Sequence, residues 1–440
     1  MKRLLLIQPS PYDKEKKPIR KSRLYFVGLA LPILAALTPE DWEVEIILET
    51  IEDVPLDHPC DLVGISTMGH GVLRSIDLAR EFRARGKTVV LGGYMASIMP
   101  EESLKYCDAL VVGDAELVWS ELLEDFNRGE LKRRYEKRHP GPWFSTPAPR
   151  FDLILHKPIG DFLPVQAGRG CPNVCSFCSV ACLYEGSYIR KPIEELDRDL
   201  EQIRELGFKK VLLLDDNILS DRDYLNQVLE LLKAKGLKWM SQCDIRVGEN
   251  EELLKSLADS GCTALSFGLE SISRESLIGM SKGWADPASY PRLIGNIRRH
   301  GIEVSTEMVV GGEGDTLDSI KLTKDFIEDN RISVPRFYIL TPFPGTRFFK
   351  ELEAQGRLVV EDIYSYDGTF AVYRPSNMTP DELTASYWRL YDELFTVSSI
   401  IKRNILKKAF LRYPGRYLFY VGVNLYYRHQ IKQRITPNIF

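Results

Sequence analysis

Long apolar runs are what this sequence lacks most: none of its 440 residues lie in a stretch that reaches the ~18 uncharged apolar residues of a membrane span. The opening "MKRLLLIQPSPYDKEKK" holds an apolar run of only about four residues, short of the roughly seven a secretory core needs, and reads as a first β-strand. Low-complexity tracts are missing as well, and a hydrophobic content of 44% with 27% charge describes a soluble globular chain. The formal net charge of -4 gives no general reason to expect nucleic acid as a partner. The eight cysteines do not spread as a disulfide framework would, because Cys171, Cys175, Cys178 and Cys182 crowd together. A reducing cytoplasm and a metal site fit that crowding. Acidic residues are absent from positions 401–440, which hold nine Lys/Arg. That tail needs its own explanation.

What is present exceeds one ordinary core, so two domains plus additions are expected. From residue 1 to 130, "RLLLIQ", "EVEIIL", "DLVGIS", "TVVLGG" and "ALVVGD" alternate with amphipathic segments such as "VLRSIDLAREFRARG". Buried strands joined by crossover helices predict a doubly wound, Rossmann-like α/β sheet, whose ligands sit beyond the strand carboxyl ends. Those ends fall at "GISTMGHG", "GGYMAS" and "GDAE", which makes Gly64, Ser66, His70, Gly92, Gly93 and Gly113 candidate ligand-facing residues. Residues 131–160, rich in proline and charge, read as a linker.

Residues 161–345 alternate again through "LPVQAG", "KKVLLLDDN", "LKWMSQCD", "CTALSFGLES", "EVSTEMVVGG" and "RFYILTP". Six strands fall short of a full eight-unit barrel, and a partial (β/α)6 barrel is predicted. Residues 346–440 turn mostly helical, with Thr379 as an N-cap and Pro380 at the first helical position.

The segment "RGCPNVCSFC" presents Cys171, Cys175 and Cys178 directly after the first barrel strand. A four-ligand zinc site needs a second cysteine pair, which is missing. An iron-sulfur cluster bound by four thiolates needs one more cysteine, for which Cys182 is the formal candidate. Three ligands alone make sense where a fourth iron holds substrate.

Here the sequence resembles the radical S-adenosylmethionine (SAM) superfamily, whose motif is Cx3CxφC with an aromatic φ, in this chain Phe177. The resemblance implies a [4Fe-4S] cluster on Cys171, Cys175 and Cys178, with SAM on the open iron and Phe177 near its adenine. It implies reductive cleavage of SAM to a 5′-deoxyadenosyl radical, fed by a flavodoxin- or ferredoxin-type electron donor. By the same likeness, Asp216 in "LLLDDN" faces the SAM amino group, Glu270 and Ser271 in "SFGLES" face the ribose, and Gly311 and Gly312 face the adenine. The family's Gly-Pro-Gly-Glu is Gly-Glu-Gly-Asp here, which leaves the roles of Glu313 and Asp315 open.

A doubly wound domain ahead of such a barrel resembles the cobalamin-binding group of that superfamily, which includes hopanoid C-methylases and the anaerobic cyclase of bacteriochlorophyll synthesis. The phrases "DLVGIS", "VVLGGYMASIMPEE" and "VVGDAE" carry this likeness. It implies cobalamin and the transfer of a methyl group to an unactivated carbon of an apolar substrate. Residues 8–30 contain no histidine to serve as a lower cobalt ligand, and His70 stands as a candidate corrin contact. Ring closure, carbon-carbon coupling or oxidation remain alternatives, as does a non-catalytic metal scaffold. The basic, aromatic tail fits either peripheral contact with the inner face of a membrane and a lipid substrate, or a helix pair packed on the barrel. Arg336, Tyr338 and Arg347 are candidates to meet the substrate at the barrel mouth.

Overall fold

The computed structural model describes residues 1–13, 15–137, 143–360, 362 and 366–437. Contacts separate two compact units, Met1–Ala167 with Ile189–Lys210, and Gly168–Tyr188 with the chain from Val211 onward. In chain order the first strands are β1 (Lys2–Gln8), β2 (Leu24–Phe26), β3 (Trp42–Leu48), β4 (Leu62–Ser66), β5 (Thr88–Gly92), β6 (Ala109–Gly113) and β7 (Arg134–Lys137). They are followed by β8 (Ile159–Val165), β9 (Gly168–Gly170), β10 (Tyr188–Arg190), β11 (Lys210–Leu213), β12 (Lys238–Cys243), β13 (Cys262–Glu270), β14 (Glu303–Val310) and β15 (Val334–Ile339).

The first sheet runs β3-β1-β4-β5-β6-β7, and its ladders are parallel. Strand order reverses between β1 and β4, the place where doubly wound sheets open a ligand crevice at their carboxyl edge. Leu5, Ile7, Val63, Ile65 and Leu91 pack against Leu78, Ala79 and Phe82 of the following helix, which gives this unit its own core. β7 lies inside the stretch that reads as a linker. Its four residues, Arg-Tyr-Glu-Lys, are too few and too polar to announce a strand, yet they pair with Leu110–Gly113 of β6.

The second sheet runs β15-β14-β13-β12-β11-β8-β2. β8 and β11 to β15 are the six predicted barrel strands in sequential spatial order. β2 was not anticipated there. Its short "LYF" comes from within the first 130 residues and pairs in parallel with β8.

Within the second unit β15 is an edge strand, whose open ladder is a liability. Tyr391, on the helix Pro380–Leu394, covers it: the hydroxyl accepts from the Phe337 N–H and donates to the Phe337 carbonyl, both at 2.8 Å. That helix begins at Thr379 with the predicted cap, a capping box closed by Glu382.

Of the nine C-terminal cations, Arg403 and Lys407 are buried, Arg416 and Arg428 are half-buried, and the other five stay exposed. Arg403 is buried and donates to the carbonyls of Ile332, Ser333 and Leu394, while Lys407 reaches Glu303 at 3.2 Å and Arg416 reaches the Gly301 carbonyl. Among the described residues no helix is long and apolar enough to cross a membrane.

Candidate active site

The cysteine loop follows the short strand β9. Gly170 opens it at φ +87, where a Cβ would run into the Ser187 carbonyl, so only glycine fits this entry. The Gly170 N–H donates to Asp216 at 2.8 Å, and Asn217 Nδ2 lies 3.8 Å from Cys171 Sγ. Asp215 is buried and accepts from Tyr188 at 3.0 Å. The acids after β11 therefore hold the cysteine loop in place, a role that the SAM-facing expectation for Asp216 did not contain. The loop's far side is pinned by the Ser176 N–H on the Met280 carbonyl at 3.0 Å and the Phe348 N–H on the Ser176 carbonyl at 2.9 Å.

Cys175 is buried, while Cys171, Phe177 and Cys178 are partly open. Burial raises the Cys175 thiol and pushes Cys178 up to about 12, so thiolates form here only with a cation to hold them. Among the described residues no three His, Cys, Asp or Glu close on a single ion. Three cysteines are one ligand short of a structural zinc site, whereas a [4Fe-4S] cluster that keeps one iron for another ligand takes three thiolates.

Lys282 stands beside this loop, buried, with Nζ 2.9 Å from Glu270 and 2.6 Å from the Gly268 carbonyl. Burial works to lower its pKa, and Glu270 with Cys175 more than offsets that, so the ammonium stays charged. Glu270 itself sits at φ +61 where the register with β14 shifts, and a Cβ on Gly268 would strike its carboxylate. A non-glycine residue in the left-handed region at a strand end stores strain of the kind found at ligand clamps. Its carboxylate already has Lys282, so the expectation that a ribose is its partner is amended. Arg246 chelates Asp244 at 3.0 Å and stacks on Trp284 at 4.1 Å, and Lys282 faces the same ring. Sequence reading missed Lys282, Arg246 and Trp284.

Ser271, Gly311 and Gly312 do come together, around Asp315. Its buried carboxylate accepts from Ser276 at 2.7 Å, Gly311 N–H at 2.8 Å, Gly312 N–H at 3.0 Å and Ser271 at 3.4 Å. These donors are engaged inside the protein and fix the shape of the turn. Glu313, by contrast, turns away to Arg357 at 2.8 Å. Deeper in the barrel Arg336 pairs with Glu307, which also accepts from Ser266 at 3.3 Å. Tyr338 is partly buried on the same face of β15. Arg347 binds Ser281 and Glu351 at the surface instead.

In the first unit the three predicted loops are tied at one rim. Thr67 donates to the Gly92 carbonyl at 2.8 Å and accepts from the Ala96 N–H at 3.1 Å, and the Gly113 N–H donates to Ser97 at 2.9 Å. Gly93 needs its φ of +100, since a Cβ would press within 3.0 Å of the Thr67 carbonyl. Ser66 ends β4 beside this rim. Gly64 is corrected: it is buried, and a Cβ would meet Leu6 at 2.8 Å, so it serves strand packing. His70 lies on the turn Gly69–Gly71, but its side chain is outside the described residues. A rim of small residues beside the exposed Met68 fits a broad, flat, partly apolar ring such as a corrin.

These features define a class: a one-electron enzyme with a thiolate-held cluster at the mouth of a partial barrel, joined to a Rossmann-like unit. Residues 165–327 match the family model of the Radical SAM superfamily. Bacteriochlorophyllide d C-12(1)-methyltransferase of Chlorobaculum tepidum is 28% identical over 100% of this chain and 95% of its own length. Bacteriochlorophyllide d C-8(2)-methyltransferase of the same organism is 30% identical over 89% of each chain. Among solved structures, the radical S-adenosylmethionine methyltransferase TsrM of Kitasatospora setae, with cobalamin and a [4Fe-4S] cluster bound, shares the fold: TM-score 0.68, 18% identity, 98% of this chain and 99% of that one. The chain belongs to the radical SAM superfamily, and it shares the two-part fold of the cobalamin-containing TsrM.

Proposed function

We propose that this enzyme methylates an unactivated carbon of an apolar small molecule, with a tetrapyrrole of the bacteriochlorophyllide kind as the first substrate to test. The observation that carries this reading is whole-length similarity to two methyltransferases of that pigment class, which covers both units. When bound, the cluster with SAM supplies hydrogen abstraction and the cobalamin supplies the methyl group. Cys171, Cys175 and Cys178 hold the cluster, and Phe177 flanks the adenine. Asp216 fixes the cluster loop through Gly170 and is the residue assigned to the SAM amino group. Lys282 and Arg246 place positive charge where a carboxylate of SAM needs it, and Glu270 orients Lys282. Asp315 shapes the turn of Ser271, Gly311 and Gly312 against which the nucleoside rests. The rim of Gly92, Gly93 and Gly113 receives the corrin, and the Glu307–Arg336 pair with Tyr338 gives the lumen a polar floor under the substrate.

The test is anaerobic reconstitution with iron, sulfide and cobalamin, then incubation with SAM, bacteriochlorophyllide d and reduced flavodoxin. The expected outcome is 5′-deoxyadenosine together with a pigment whose mass has grown by one methyl-for-hydrogen exchange. Loss of two hydrogens would mark ring closure instead, and absence of 5′-deoxyadenosine would mark a scaffold.

A further inference from the structure

The last helix, Pro414–Lys432, is apolar on both sides. Tyr417, Val423, Asn424, Tyr427 and Ile431 face the barrel and are buried. Leu418, Phe419, Leu425 and Tyr426 face outward, continued by Leu411, which is 85% exposed. At spacings of seven and eight, Leu418, Phe419, Leu425 and Tyr426 form one ridge on the solvent side of the helix. A contiguous apolar ridge on a globular surface marks a contact.

Charge decides what covers it. Lys408, Arg412 and Lys432 border the ridge, are exposed, and have no acidic partner among the described residues. A cavity of about 340 Å³ opens beside the ridge, lined by five cations, among them Arg331, Lys408 and Arg416, against the two carboxylates Glu303 and Asp329. A second copy of this chain would set these cations against their own images across a two-fold axis, with no acid in the segment to relieve them. An anionic bilayer offers the complement of both features: acyl chains for the ridge and phosphates for the rim and the cavity.

We propose that the outward face of the C-terminal helices docks the protein on an anionic membrane surface, through the apolar Leu411–Tyr426 ridge and the basic rim of Lys408, Arg412 and Lys432. The cavity borders Glu303, the first residue of β14. This inference is independent of the methyl-transfer reading above.

The experiment is co-sedimentation of the reconstituted full-length protein with phosphatidylcholine vesicles, with and without phosphatidylglycerol. Two variants accompany it: a ridge variant (Leu411→Ser, Leu418→Ser, Phe419→Ser, Leu425→Ser) and a rim variant (Lys408→Gln, Arg412→Gln, Lys432→Gln). Binding is expected on the anionic vesicles, weakened roughly tenfold or more by the ridge variant and several-fold by the rim variant. No binding to either vesicle, or equal binding to both with the variants unchanged, overturns the proposal. So does a ridge variant that only turns an oligomer into a monomer, which would assign the face to a second copy. All substituted residues are exposed, and 5′-deoxyadenosine formation in vesicle-free solution should stay at the wild-type rate. A failed docking test is thereby distinguished from a failed assignment of the chemistry.

Discussion

Two carboxylates at opposite ends of neighbouring strands meet opposite treatment. Glu303, at the amino end of β14, is saturated: Arg298 and Lys407 reach it at 3.2 Å, and the Tyr417 hydroxyl and the Val304 N–H also donate to it. Burial works against its charge, but these partners win and hold its pKa down to about 2. Glu270, at the carboxyl end of β13, has one cation, a left-handed backbone and a shifted register. Both are buried, so burial of a charge does not by itself mark function. Unused binding capacity joined to backbone strain does, and it falls at the strand end where barrels of this kind keep their chemistry.

The sharpest way to break the comparison lies at the cysteines. Cys175→Ser should abolish 5′-deoxyadenosine formation and leave iron content well below the wild type, while the thermal transition stays cooperative. Next, Glu303→Gln should cost about 3–5 kcal/mol of stability, because it leaves Lys407 and Arg298 buried without their counter-charge. Urea unfolding checks this, and cluster loading in the surviving folded fraction should match the wild type.

The pH profile sharpens the same point. The folded pKa of Glu303 lies below its ordinary 4.5, so its contribution is fully present above pH 4.5 and is lost as pH falls toward about 2. That shift amounts to about 3 kcal/mol, and an acid titration of stability should lose this increment in Glu303→Gln. Glu270→Gln should behave in the reverse sense: a smaller loss of stability, since Lys282 keeps the Gly268 carbonyl, but roughly a tenfold to hundredfold loss in 5′-deoxyadenosine rate. The smallest effect belongs to Tyr391→Phe, which strips the edge strand of one hydroxyl and should cost about 1 kcal/mol with the chemistry untouched.

Sequence alone revealed what depends on local pattern. The apolar runs that became β1, β4, β5 and β6 and the six barrel strands announced themselves, as did the Cx3CxxC loop and the Thr379 cap. What stayed hidden depends on partners far along the chain. β2 is three residues long and finds its place only by pairing with β8, more than a hundred residues later. Lys282 gains meaning only when the turn after β13 folds it back on Glu270. Asp315 looked like one acid in a Gly-Glu-Gly-Asp turn, although it gathers four donors from three segments. Gly64 was misread because a glycine at a strand end means ligand approach or tight packing, and only the position of Leu6 decides between them. The tail's cations could be counted, but the direction each would face could not.

The central claim is that three thiolates leave one iron open for SAM. Electron paramagnetic resonance of the reduced, reconstituted protein tests it directly: adding SAM should change the cluster signal, whereas identical spectra with and without SAM would contradict the account.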